Sequence, residues 1–154
     1  VQAVAAVALR EPLASGFTIR KRISALEQRR PDRWSRGDTV RVSLEIEAQA
    51  GAGWVAVNDP LPAGATILGS GLGRDSRLMI RGEQRSGQVW PAFEERSFEA
   101  FRVYYEQVPA GRWTLEYTLR LNQSGTFQLP PTRVEALYAP EVMGAMPNPV
   151  FDVE

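Results

Sequence analysis

Two stretches of the chain alternate apolar and polar residues without a fault. From Thr39 to Ala48, Val40, Val42, Leu44, Ile46 and Ala48 fall on one side, and Arg41, Ser43, Glu45 and Glu47 on the other. From Arg112 to Leu121, Trp113, Leu115, Tyr117, Leu119 and Leu121 alternate with Arg112, Thr114, Glu116, Thr118 and Arg120. Successive side chains of a strand point to opposite faces, so this period predicts half-buried antiparallel strands. Phe17 to Ala25 repeats the pattern with Phe17, Ile19, Ile23 and Ala25 inward. Lys21 interrupts that apolar face, which predicts a strand that is short or near an edge.

Weaker strand signals lie at 1–9, at Trp54–Val57, at 126–129, at 132–137 and at 150–153. Phe98 to Gln107 is aromatic and carries apolar groups on both faces, which predicts a strand covered on both sides or bordering a partner. Turn chemistry separates these runs: Gly37-Asp38, Asp59-Pro60-Leu61-Pro62-Ala63-Gly64, Val108-Pro109-Ala110-Gly111 and Asn122 to Gly125. The count is seven to nine short strands. No segment shows a helical apolar stripe over three turns. The pattern predicts an all-β chain with at most one short helix, folded as a single antiparallel β-sandwich domain over residues 1–154. Residues 65–97 have the weakest pattern and are expected to form a long loop or hairpin insertion.

Composition removes most chemistry. The 154 residues contain no Cys and no His. That excludes Ser-His-Asp and Cys-His catalysis, zinc sites built from those ligands and disulfides. The reading is a non-enzymatic chain with no cofactor and no metal site. The 18 basic and 18 acidic residues cancel, so no global field draws nucleic acid or an anionic membrane. No apolar run approaches the roughly 20 residues that span a bilayer, so direct membrane insertion is not expected. Gly69, Gly71 and Gly73 lack the spacing of a phosphate loop and read as a plain loop. Glu94, Glu95 and Glu99 read as a solvated charged segment rather than a hydrolytic pair. Arg29, Arg30, Arg33 and Arg36 beside Trp34 read as a solvated basic loop. The chain starts without Met, and it is expected to be a piece of a much larger polypeptide.

The stretch from Ser124 to Val142 follows the strongest strand and holds the candidate contact residues. Pro130 and Pro131 donate no ladder hydrogen bonds and force a stiff crossing. The chain then becomes extended again through Glu135 and presents Leu137 and Tyr138 just before Pro140. Pattern alone leaves core packing and interface contact equally open for Tyr138.

The order of features from Val57 onward resembles the C-terminal macroglobulin-like domain of bacterial α2-macroglobulins. The residues that carry this are Val57-Asn-Asp-Pro-Leu-Pro-Ala-Gly64, Glu95-Arg-Ser-Phe98, Val108-Pro-Ala-Gly-Arg-Trp-Thr-Leu-Glu-Tyr117 and Gly125-Thr-Phe-Gln-Leu-Pro-Pro-Thr-Arg-Val-Glu-Ala-Leu-Tyr-Ala-Pro-Glu141. The resemblance implies a β-sandwich within a large periplasmic protease trap, anchored as a rule to the inner membrane. Cleavage of a bait region in such proteins drives a rearrangement that captures the protease, and in many members a thioester links to it. The implied partners are other domains of the same parent chain and, through the parent, target proteases. The resemblance also implies that Tyr138 packs near a thioester and shields it from water. This chain has no Cys, so any thioester lies outside it; in a parent without one, Tyr138 would be an interdomain packing residue. A carbohydrate-binding or adhesive β-sandwich is the rival reading, with Trp34, Trp54 or Trp90 as its platform.

Overall fold

The structure, a computed structural model, describes residues 9–68, 85–87 and 89–154. Thirteen strands are present among them. In chain order they are β1 (Leu13–Ser15), β2 (Phe17–Glu27), β3 (Thr39–Ala48), β4 (Ala52–Pro60), β5 (Thr66–Ile67), β6 (Arg85–Ser86) and β7 (Phe93–Arg96), then β8 (Ala100–Val108), β9 (Gly111–Arg120), β10 (Gly125–Phe127), β11 (Thr132–Ala136), β12 (Ala139–Met146) and β13 (Phe151–Val153). The count exceeds the expected seven to nine because several pairings are only two or three residues long. No helix occurs among the described residues.

The strands form two facing sheets. One has the order β1-β12-β11-β4-β8-β7; the other has the order β2-β3-β9-β5, with β6 also pairing β9. A small third pair joins β10 and β13. All pairings between these described strands are antiparallel, so the expected β-sandwich stands. The alternation read in β3 and β9 pairs residue for residue, from Thr39 opposite Arg120 to Ala48 opposite Gly111. Their inward side chains meet those of Val55, Val57, Phe101, Val103, Tyr105 and Val134 from the other sheet. Phe101 stacks on Tyr117 at 4.4 Å, and Tyr105 meets Trp113 edge-on at 5.7 Å.

Several expectations need correction. β2 is an edge strand as anticipated, yet it is 11 residues long. It is not cut short at Lys21, because that side chain finds a buried partner in the facing sheet. β4 runs from Ala52 rather than Trp54, through a Gly/Ala start that carries no pattern. Phe98 is 80% exposed in the turn before β8, so one of the aromatics read into that strand belongs to a loop. Tyr104 lies half-buried on the outer face of β8 against Phe93, which keeps that face partly apolar. β12 was not foreseen at all. Of the segment 65–97, the described parts contribute β5, β6 and β7. Of the strand expected at 1–9, residues 1–8 lie outside the described residues and Leu9 is not in a strand; the Gly69–Gly73 loop also lies outside them.

Candidate functional site at the tip of the β11–β12 hairpin

β11 and β12 form a hairpin whose last pair is Ala136 opposite Ala139, so Leu137 and Tyr138 alone make the turn. Tyr138 is 83% exposed and Leu137 44% exposed. The question that pattern left open is thereby answered: the Tyr138 ring does not pack in the core. The tip is nevertheless fixed. Leu137 N–H donates to the Trp54 carbonyl at 2.8 Å, which extends the β11–β4 ladder into the turn.

A large bulge shapes the hairpin. Glu135 pairs with Met143, but the next residue, Ala136, pairs with Ala139, so Pro140, Glu141 and Val142 have no opposite number in the ladder. Pro140 therefore costs no ladder bond, which is why a proline fits a strand between two others. Ser15 Oγ donates to the Glu141 carbonyl at 2.8 Å and holds the bulge.

Trp54 belongs to the same tip. It has φ of 50°, the only positive value among the described non-glycine residues. The left-handed region costs an ordinary side chain about 1–2 kcal/mol, and such strain gathers at working surfaces. Its indole is 43% exposed. Sequence offers no signal for this conformation. The three tryptophans of the rival reading are dispersed: Trp34 is half-buried and stacked on Phe151 at 5.9 Å, whereas Trp54 and the exposed Trp90 line different hollows.

The other predicted contact residues sit elsewhere. Pro130 and Pro131 lie just before the far end of β11, whose five residues separate them from the tip by roughly 20 Å. Glu135 is half-buried within β11, with Arg133 at 3.8 Å. The proline crossing is pinned by a buried polar cluster that sequence reasoning missed. Asp59 of β4 is fully buried. Lys21 Nζ donates to its Oδ1 at 2.7 Å and Thr132 Oγ1 to the same oxygen at 2.6 Å, while the Tyr117 hydroxyl donates to Oδ2. Lys21 also donates to Asn148 Oδ1 at 3.1 Å, and Asn148 Nδ2 donates to the Pro130 carbonyl at 2.8 Å. The cluster thus joins β2 and β9 of one sheet to β4 and β11 of the other. Burial pushes the Tyr117 phenol well above its usual 10.0, and the charge of Asp59 and its hydrogen bond push the same way. Its one sequence signal was Lys21, seen as a fault in an apolar face.

The charged segments are internally paired. Glu94 meets Arg96 at 2.8 Å and Glu95 meets Arg102 at 3.3 Å. Arg30 and Arg33 hold Glu154 at 3.0 and 2.7 Å, all three partly exposed. Among the described residues, no three acidic side chains converge as a metal site would require.

Comparison with known proteins places the fold. Residues 16–141 match a family described as the bacterial alpha-2-macroglobulin MG10 domain. The chain superimposes on trypsin-activated alpha-2-macroglobulin from Escherichia coli with a TM-score of 0.75 at 22% identity, covering 94% of this chain and 11% of that one. A Salmonella alpha-2-macroglobulin mutant gives 0.74 at 25% identity, covering 94% and 10%. Native E. coli alpha-2-macroglobulin from domain MG7 to its C-terminus gives 0.74 at 21%, covering 96% and 25%. A protein of Dictyostelium discoideum named Circularly permutated Ras protein 2 is 29% identical over 108 residues, 70% of this chain and 2% of that protein. The chain therefore spans a quarter or less of the length of each of these relatives.

Proposed function

Since the chain belongs to the bacterial alpha-2-macroglobulin MG10 domain family, we propose that it is a non-catalytic, C-terminal domain of a periplasmic protease trap, docked on neighbouring domains through its Tyr138 hairpin. The parent is anchored to the inner membrane and takes proteases as its targets. Within it, the domain holds the untriggered state, and it shields a thioester if the parent has one. The observation that carries this reading is Tyr138 itself: a large ring, 83% exposed, on a two-residue turn fixed to two neighbouring strands.

The physics is that of an anchor residue. Exposed aromatics on rigid scaffolds are the usual centres of contact surfaces, because little conformational entropy is lost when they dock. Burying the ring contributes about 2 kcal/mol, or about thirtyfold in the docked-to-undocked ratio. Zero net charge gives no long-range steering, but none is needed between domains of one chain, where effective concentration is already high. A ring over a reactive acyl carbon would exclude water until a rearrangement removed it.

The test is made on the full-length parent. It is incubated with trypsin and examined on a denaturing gel for a covalent adduct, with methylamine pretreatment as control. A methylamine-sensitive adduct that Tyr138→Gly diminishes, through premature loss of the thioester, supports shielding. If no adduct forms, protection of trypsin from a large protein inhibitor shows a trap without a thioester. Absence of both adduct and protection would refute the trap reading.

A further inference from the structure

Tyr138 is one wall of a hollow, and Trp54 is another. The hollow measures about 490 Å³. Gly51, Ala52, Gly53 and Ala139 line it with little side-chain bulk, and Val142 reaches it from the β12 bulge. None of its lining residues is charged, in a chain that is 23% charged. The strained Trp54 backbone is tied to the hairpin tip by the Leu137 hydrogen bond, so both aromatic walls are set by one piece of backbone. An apolar cavity of roughly 150 Å³ accepts a benzene ring, so this hollow has room for one large side chain even with part of it open to solvent.

We infer that Trp54 and Tyr138 are two jaws of a socket that receives a single uncharged, apolar side chain, of leucine to phenylalanine size, from a neighbouring domain of the same parent chain. The inference rests on the proposed docking of the hairpin tip and adds to it a second contact residue and the chemistry of the occupant. A charged group entering here would lose its hydration and meet no counter-charge. An apolar side chain loses nothing of that kind and gains contact with two aromatic faces.

Site-specific photo-crosslinking in the full-length parent tests it. The photoreactive residue p-benzoylphenylalanine replaces Trp54 in one variant and Tyr138 in another, and mass spectrometry locates the linked peptide. Both probes are expected to link to the same short apolar segment of a neighbouring domain in the same chain. Adding Gly51→Leu should lower both yields at least tenfold by filling the hollow; a Cβ there meets nothing nearer than the Val108 carbonyl at 3.5 Å. If that variant lowers the unfolding midpoint, Ala50→Leu on the same lining replaces it. Linking from position 138 but not 54 overturns the socket while leaving the docking reading intact. No linking from either position overturns both. Links to a second polypeptide, to a charged segment, or undiminished by the plug also overturn the socket.

Discussion

At Trp54 an aromatic side chain occupies a backbone conformation that favours glycine. Comparison of Trp54→Gly with Trp54→Ala isolates that strain, because both remove the indole. At an ordinary strand position glycine is the less stable by about 0.5–1 kcal/mol. Here the order should reverse, with Trp54→Gly the more stable by about 1 kcal/mol in urea unfolding. Equal stabilities, or alanine ahead, would show that no strain is stored. The buried cluster makes two further predictions. Lys21→Met leaves Asp59 buried without its cation and should cost about 3 kcal/mol; a loss under about 1 kcal/mol would mean the pair contributes little. Tyr117 gives a pH dependence. Its phenol stays protonated in the folded chain at pH values where the unfolded chain releases the proton. The folded state then binds more protons, so stability falls as pH rises above 10.0 towards the folded pKa. Tyr117→Phe should flatten that alkaline slope in thermal melts recorded between about pH 9 and 11. Of these residues, Lys21 was legible as a misplaced charge. Trp54 was not, since a backbone dihedral leaves no mark on residue type unless glycine or asparagine stands there.

Strands that alternate strictly were readable almost to the residue: β3 has the expected bounds, and β9 begins and ends one residue earlier, at Gly111–Arg120. β3 and β9 keep one face wet and one face in the core, so polarity reports geometry directly. β4 and β12 hid for physical reasons. The first half of β4 lines a hollow, where glycine and alanine leave room and no period forms. β12 contains Pro140 in a bulge and Gly144 where two sheets nearly touch. A Cβ on Gly144 would lie 2.5 Å from the Phe17 carbonyl oxygen, which is backbone and cannot swing aside. Gly144→Ala should therefore cost about 1–3 kcal/mol by prising β12 from β2, seen as a lower midpoint in thermal unfolding. A neutral result would mean that the two strands separate freely. The hairpin signal itself was partly legible: Leu137 and Tyr138 stood out before Pro140, but the returning strand that turns them into a rigid tip did not.

On the scale of the whole molecule, the sandwich has unlike surfaces. The outer face of the β2-β3-β9 sheet carries Arg20, Glu45, Glu47 and Arg112 in exposed ion pairs, worth little in stability but well suited to water. The uncharged aromatic tip lies between β4, β11 and β12 at one end. Such a distribution suits a domain that meets its neighbours end-on. Sandwich class and family were legible because turn motifs and strand order persist when core identities drift. The proposed contact end was marked in the sequence only by Tyr138, since the other wall of the hollow comes from β4, more than 80 positions earlier. The most direct test of end-on docking is hydrogen–deuterium exchange of the full-length parent, before and after trypsin. Amides of residues 49–54 and 136–142 should exchange slowly in the native parent and lose at least tenfold protection once trypsin has triggered it. Equal protection in the two states, with Tyr138→Gly also without effect, would contradict the account.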